Sequence, residues 1–229
     1  MAVTIGSNHT AFAKSSACLT FAVSDYYAGT TPHGEFLAFI TAVLAREHMT
    51  VEITPLPVER ALILSNSGEI DGELSIGTLN DKDYPNVVQS TFPILVVKYS
   101  VIQRSGESLS RKSISALRGV IPLNLRGMEA FISNQKLNIS GIRRAAAALD
   151  MVANKRADYT IGSDIVFQFG QYKEHPSLVL SKDFTYTLPI YLRLNKKHKD
   201  LLKSIESAFQ KEKFENAEKY PILKKYFGF

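Results

Sequence analysis

The 229-residue sequence lacks most features that mark a metal enzyme, a nucleotide-binding protein or an integral membrane protein. Cys18 is the only cysteine, which excludes an intramolecular disulfide and a cysteine-based metal site. The five histidines have no metal-binding spacing, and no P-loop, nucleophile elbow or dinucleotide fingerprint occurs. No apolar run reaches 18 residues, so no transmembrane helix is predicted. We therefore expect a protein that is not an enzyme and that carries neither a cofactor nor a metal.

The composition is that of an ordinary globular protein with a modest excess of positive charge. Hydrophobic residues make up 45% and charged residues 21% of the chain, which allows a core of useful size. A chain of this length forms one large domain or two domains of about 100 residues. The net charge is +5, and lysines are densest in residues 196–213, where glutamates interleave with them. This pattern indicates a solvated helix face, so we expect no nucleic-acid partner.

One stretch, from Pro57 to Ile76, contains a helix, a tight turn, an acidic residue and a strand in succession. Proline suits the first position of a helix, and Gly68 tolerates the left-handed conformation that ends one. Asp71 is the acidic residue before the strand. A weaker copy of the unit covers residues 145–161, with Asp158 in the corresponding place. Two such units predict two similar α/β lobes.

Strands and helices are predicted to alternate along the rest of the chain. The first 76 residues have a β-α-β-α-β pattern, which favours a parallel sheet with helices on its faces. A long apolar strand is predicted over residues 94–103 and an alanine-rich helix over residues 142–154. Two separate strands are predicted after the second unit, at residues 178–180 and 186–194.

Several short motifs are spread between the first helix and the C-terminus. They are Gly34-Glu35-Phe36, Pro57-x-Glu59-Arg60-Ala61, the Gly68–Asp71 turn, Leu117-Arg118-Gly119-Val120, Arg126-Gly127 and Leu223-Lys224-Lys225-Tyr226-Phe227. This set resembles the family 3 extracellular solute-binding proteins, which serve bacterial ABC transporters and have relatives in sensors. The resemblance implies a two-lobed, type II periplasmic binding protein-like α/β fold whose lobes are joined by two crossing strands.

The resemblance also implies a domain organisation. We expect lobe 1 to comprise residues 18–102 and 187–229, and lobe 2 to comprise residues 103–186. Residues 1–17 do not fit either lobe, and Ala11-Phe12-Ala13 has the small-x-small pattern of a signal-peptidase site. We expect this segment to be a signal-peptide remnant or a disordered tail, in a protein of the periplasm or cell surface.

Ligands of parallel α/β sheets bind beyond the carboxyl ends of the strands. This rule, together with the resemblance, selects as candidate ligand-binding residues Asp25, Tyr26, Tyr27, Glu73, Ser75, Thr78, Arg126, Gly127 and Asp164. Arg126 suits an anionic group because its guanidinium offers a bidentate fork, and the resemblance implies that Asp164 holds a ligand amine. Each residue also has a structural alternative, since Arg126 could be a solvated turn residue and Asp164 a helix N-cap.

The sequence departs from the resembled family at one position. Amino-acid-binding members dock the ligand carboxylate on an arginine in the connection after the third strand, which falls at about Asp83 here. No arginine occurs between Gly68 and Gln103, so an α-amino acid held in the usual way is not expected. We predict a monomer that captures a small polar or charged solute, amino-acid-like or related, and presents it to an ABC permease. Ligand sensing without transport is the alternative, and an enzyme on the same scaffold is a remote one.

Overall fold

The computed structural model describes most of the chain from Cys18 to Gly228. The described ranges are 18–77, 79, 82–107, 109–110, 113–123, 125, 127–170 and 175–228, without the side chains of Tyr27 and Ala145. The expected signal-peptide remnant therefore lies outside the described residues. The same holds for two site candidates and for the side chain of a third. The two candidates are Thr78 and Arg126, and the third is Tyr27. Within the described ranges, no helix is both long enough and apolar enough to cross a membrane.

Nine strands and seven α-helices are found in the described part of the chain. The strands are β1 (Cys18–Ser24), β2 (Thr50–Leu56), β3 (Gly72–Ile76), β4 (Val87–Gln89), β5 (Leu95–Arg104), β6 (Gly119–Pro122), β7 (Ile139–Ile142), β8 (Tyr159–Ser163) and β9 (Leu178–Asn195). The α-helices are α1 (Thr31–Arg46), α2 (Val58–Ser67), α3 (Glu129–Asn134), α4 (Ala145–Ala153), α5 (Asp164–Phe169), α6 (Leu202–Asn216) and α7 (Pro221–Tyr226). Short 3-10 helices cover Asp25–Tyr27, Ile114–Ala116, Lys196–Leu201 and Ala217–Lys219.

The strand order of the sheet follows the same plan from either end. The order is β2-β1-β3-β9-β5-β8-β6-β7, and β4 pairs with β9. β1 is parallel to β2 and β3, and β6 is parallel to β7 and β8. The antiparallel strands β9 and β5 then border β3 and β8, respectively. Each half is therefore a parallel three-strand unit bordered by an antiparallel strand, which confirms the predicted two-lobed α/β fold.

Two long strands, β5 and β9, connect the two halves. β5 has 10 residues and β9 has 18, and their pairing shifts register between Ser100 and Ile102. We call β1–β4 with α1, α2, α6 and α7 the first lobe, and β6–β8 with α3–α5 the second lobe. The predicted lobe limits, between residues 102 and 103 and between 186 and 187, fall inside these two strands. Their exact positions stay a prediction.

The acidic residue of each helix–turn–strand unit makes the same backbone contacts. Asp71 donates its backbone N–H to Thr20 O at 2.8 Å, and its Oδ2 accepts from Thr20 N at 2.8 Å. Asp158 and Arg118 repeat both bonds in the second lobe, at 2.8 and 2.7 Å. Gly68 ends α2 with φ of 82°, as predicted. The two units are therefore structural equivalents, and each acid fixes its strand to the first strand of its lobe.

Two details of the element prediction were wrong. The helix predicted over residues 142–154 begins only at Ala145, because residues 139–142 pair with β6 as the edge strand β7. The segments 178–180 and 186–194 belong to one strand, β9, since both pair with β5. The residues between them include polar ones, and a strand that connects two lobes is partly exposed along its length.

Candidate functional site

A small cavity lies at the seam between the two lobes, beyond the carboxyl ends of β1 and β3. Its volume is about 30 Å³, which is room for one or two water molecules. Ser24 and Tyr26 reach it from the end of β1, and Ser75 and Ile76 reach it from β3. Leu125, which follows β6, closes it from the second lobe. The cavity therefore occupies the place where open α/β sheets bind ligands.

Most of the cavity wall is apolar. Helix α1 contributes Pro32 and Phe36, the crossing strands contribute Tyr99 and Ile190, and the C-terminal segment contributes Phe227. Among the described residues that line the cavity there is no aspartate, glutamate, lysine or arginine. Hydrogen bonding to a guest would therefore depend on a few uncharged polar side chains.

His33 is the histidine of this wall, and it lies in the first turn of α1. Its backbone N–H donates to the Thr30 hydroxyl at 3.3 Å, so the N-cap fixes the start of the helix. Its Nε2 is buried and has no hydrogen-bond partner among the described residues. Burial lowers the pKa of His33 below the ordinary value of 6.5, which keeps the imidazole neutral at pH 7. The wall therefore contains an uncharged imidazole nitrogen that is available for a hydrogen bond.

A buried arginine holds the floor of the cavity. Arg193 on β9 donates from Nη1 to Glu73 at 3.0 Å and to the Ser75 hydroxyl at 2.5 Å. Its Nε donates to the Gln89 amide oxygen at 2.9 Å, and its Nη2 donates to the Gly77 carbonyl at 2.6 Å. Burial raises the pKa of Glu73, and the Arg193 charge partly offsets this rise. The network fixes the end of β3 and the residue after it in one arrangement.

Asp164 begins α5 on the second-lobe side of the seam and is 8% exposed. Its Oδ2 lies 3.4 Å from the Lys98 ammonium, while its Oδ1 has no hydrogen-bond partner among the described residues. The neighbouring Gly162 faces Tyr26 of the first lobe, whose hydroxyl would lie 3.8 Å from a Cβ at that glycine. The carboxylate is therefore already balanced by a cation beside the point where the lobes meet.

The structure distributes the predicted site residues among several environments. Tyr26 and Ser75 line the cavity, and Ser75 also belongs to the Arg193 network. Glu73 is fully buried in that network and does not line the cavity. Asp25 is half-buried in the short helix after β1. Gly127 has φ of 80°, and a Cβ there would lie 3.1 Å from Leu188 Cδ1.

The C-terminal helix α7 links the two lobes beside the cavity. The Tyr226 ring meets Phe169 of α5 edge-on, with centroids 5.7 Å apart, and its hydroxyl bonds to the Gln168 side chain. The next residue, Phe227, stacks on Phe36 at 6.5 Å between centroids. The same short segment therefore contacts the second lobe and forms part of the cavity wall.

Sequence reasoning missed His33, Phe36, Phe227 and Arg193. Arg193 had a usable signal, because it interrupts an apolar strand and a buried arginine needs several partners. Phe36 was visible only in the Gly34-Glu35-Phe36 motif, and His33 only as one of the five histidines without metal-binding spacing. Phe227 is brought to the cavity by the last turn of the chain, which no local pattern indicates. In the described part of the chain, no group of three or more histidine, cysteine, aspartate or glutamate side chains could hold a metal ion.

No family model and no curated protein matches the sequence. Solved structures nevertheless share its fold. The substrate-binding protein of an amino acid ABC transporter is 13% identical, with a TM-score of 0.69 over 93% of this chain and 100% of that chain. The periplasmic binding protein of an arginine transport system from Legionella pneumophila is also 13% identical, with a TM-score of 0.68 over the same shares.

A third structure extends the comparison. An ancestral amino-acid-binding protein, described as a precursor of cyclohexadienyl dehydratase, is 17% identical with a TM-score of 0.68. The match covers 92% of this chain and 96% of that chain. These likenesses span nearly whole chains, so both lobes and their connection correspond. At such low identity they establish the fold.

Proposed function

We propose that this chain is a solute-binding protein of the periplasm or cell surface. It captures a small solute between its lobes and presents it to an ABC transporter. The observation that carries the proposal is the cavity at the seam, to which the strand ends of the first lobe and Leu125 of the second lobe contribute. The fold shared with a transporter's substrate-binding protein supports the same role.

Solute entry requires the lobes to separate. A cavity of about 30 Å³ is too small for an amino-acid-sized guest, and Leu125 must move away to enlarge it. The chain passes between the lobes only in β5 and β9, and their register shift near Ser100 provides a place to bend. Hinge motions of this kind concentrate on a few residues and leave the packed lobes intact. The Tyr226–Phe169 contact would then re-form when the lobes close on a solute.

A thermal-shift screen tests solute binding directly. The panel contains amino acids, polyamines, organic acids, small peptides and small uncharged aromatics. A ligand at 100 times its dissociation constant should add about 2.7 kcal/mol to the free energy of unfolding. If no compound in the panel stabilises the protein, the proposal is overturned.

Two leucines separated by one residue give a matched pair of variants for the screen. Leu125→Ala removes the side chain that closes the cavity from the second lobe. It should weaken binding of any compound that stabilises the wild type in the screen. Leu123→Ala alters a side chain that is 65% exposed and should leave binding unchanged. Equal effects of the two variants would place the bound compound elsewhere.

Ligand sensing without transport is a second candidate. The observation that favours it is the absence of arginine from residues 68–103, where the resembled transport proteins dock their ligands. The two roles are separated by ATP hydrolysis in proteoliposomes that contain the permease and ATPase with which the protein is proposed to work. Stimulation by the liganded protein supports transport. Intact ligand binding without stimulation supports sensing.

An enzymatic role has one structural neighbour in its favour, the precursor of a dehydratase. General acid–base catalysis needs a titratable group beside the substrate. His33 is such a group, but no carboxylate accompanies it among the described residues that line the cavity. Compounds that bind can be followed by NMR during long incubation with the protein. We expect them to remain unchanged.

A further inference from the structure

Resting on the proposed solute-binding function, we infer that the solute is a small, largely apolar molecule with one uncharged hydrogen-bonding group, which binds His33. A phenol, an indole or a short alcohol has this chemistry. A zwitterionic α-amino acid does not. Three features of the seam favour such a solute. They are the mainly apolar wall, the pairing of nearby charges and the position of one imidazole nitrogen.

The described residues of the wall offer a charged guest no counter-ion. They are mainly aromatic and aliphatic, and the serines among them are already engaged as acceptors. Ser24 accepts from Tyr26 N at 3.3 Å, and Ser75 accepts from Arg193 at 2.5 Å. Burying an ammonium or a carboxylate without a partner is far more costly than burying a hydroxyl that makes its hydrogen bond. An α-amino acid would have to bury both charged groups against this surface.

Two charged pairs near the seam are each matched internally. Asp164 Oδ2 lies 3.4 Å from Lys98 Nζ, and Glu73 Oε1 lies 3.0 Å from Arg193 Nη1. A ligand ammonium placed on Asp164 would compete with Lys98 for the carboxylate. A ligand carboxylate could reach Arg193 only by displacing buried bonds beneath the cavity. These two pairs therefore give a zwitterion little net stabilisation.

His33 places a hydrogen-bonding nitrogen in this mainly apolar wall. Its Nε2 is buried at the cavity and has no partner among the described residues. Leaving such a buried group unsatisfied is unfavourable, so a hydroxyl or an indole N–H that binds it removes this penalty. Because the imidazole is neutral, it can accept or donate that bond without introducing charge. Phe36 lies one helical turn further along α1 and also lines the cavity, where it can pack against the body of the solute.

The experiment compares each amino acid with an uncharged molecule that carries the same side chain. The uncharged probes are 4-methylphenol, 3-methylindole and 3-methylbutan-1-ol, and their partners are tyrosine, tryptophan and leucine. Dissociation constants are measured by calorimetry on the full chain at pH 7.5. We expect at least one probe to bind tenfold or more tightly than its amino acid.

Two variants test the role of His33. His33→Phe keeps an aromatic ring and removes the nitrogen, so it should weaken binding of the best probe at least tenfold. His33→Gln retains a hydrogen-bonding group and should bind more tightly than His33→Phe. His175→Phe alters a second-lobe histidine that lies 3.4 Å from Asp150 and does not line the cavity, so it should bind as the wild type does. Circular dichroism checks that each variant is folded. If His33→Phe does not fold, the comparison of His33→Gln with the wild type decides the test.

The outcomes separate this inference from the function on which it rests. Tighter binding of an amino acid than of its side-chain probe overturns the inference and leaves solute binding in place. Probe binding that is unchanged in both His33 variants also overturns it. Failure of every probe and every compound of the broader panel overturns the solute-binding function itself.

Discussion

Arg193 and Glu73 form an ion pair in which each side chain is 1% exposed. The pair joins the crossing strand β9 to β3, and Arg193 also holds the Gly77 carbonyl at 2.6 Å. Its Nη1 bonds in addition to the Ser75 hydroxyl of the cavity wall. The cavity floor is therefore coupled to one of the two strands on which the lobes would hinge.

Removing the arginine should destabilise the protein strongly. Arg193→Met leaves the Glu73 carboxyl buried without its counter-ion, and such changes cost about 3–5 kcal/mol. The free energy of unfolding in urea measures the effect. Arg60→Met, at an exposed position on α2, is the control and should change stability by less than about 0.5 kcal/mol. A loss below about 1 kcal/mol in Arg193→Met would mean that the pair contributes little.

Two glycine substitutions should have opposite effects on stability. Gly68 ends α2 with φ of 82°, so Gly68→Ala should cost roughly 1–2 kcal/mol through the left-handed backbone. Gly34 is helical, and a Cβ there would meet nothing within 4 Å. Gly34→Ala should therefore stabilise the protein by about 0.5–1 kcal/mol. Thermal unfolding of both variants gives the sign of each stability change. Equal shifts in the unfolding temperature would contradict the assignment of the helix end.

The sequence reveals this fold because its local signals agree with one another. Gly68 and Asp71 occupy the helix end and the strand anchor that their chemistry favours, and Pro57 lies one residue before the first position of α2, as its N-cap. The cavity was less accessible to the same reasoning, because its wall combines residues from α1, β3, β5 and the last helix. Neither spacing nor propensity shows that Phe227 lies beside Phe36, since that contact depends on the packing of distant segments. The unit that contains Asp158 was predicted from the same succession of helix, turn, acidic residue and strand as the unit that contains Asp71, although its turn lacks a glycine.

Asp71 should contribute stability that is lost in acid. Burial acts to raise the pKa of its carboxyl, but bonds from Lys197, Thr20 and His198 outweigh burial and hold the pKa below the ordinary value of 3.8. Because the folded pKa is depressed, the contribution is complete well above pH 3.8 and declines as the pH falls below that value. Asp71→Asn should therefore be destabilised at pH 7 and approach the wild type in strong acid.

The comparison is made by urea unfolding between pH 7 and pH 2.5. Glu52→Gln, at an exposed position on β2, provides a carboxylate control whose difference from wild type should stay small throughout. A difference for Asp71→Asn that does not change with pH would mean that its bonds do not depend on the ionised carboxylate.

His33 should make the protein less stable in mildly acidic solution. Burial lowers its pKa in the folded state below 6.5, so the unfolded chain binds this proton more readily. Stability from this group is complete above pH 6.5 and falls as the pH drops through the unfolded pKa toward the lower folded one. The loss of stability between pH 7.5 and pH 5 should therefore be smaller in His33→Phe than in the wild type. An equal or larger loss in the variant would contradict the burial of the imidazole.

The most direct test of solute capture at the lobe seam is a map of NMR amide shifts. The protein is titrated with the compound that gives the largest thermal stabilisation, and the shifted amides are placed on the fold. The account predicts shifts at the ends of β1 and β3 and in the first turn of α1, together with residues 125–128 and 162–164 of the second lobe. Shifts confined to one lobe, or located on surfaces away from the seam, would contradict it.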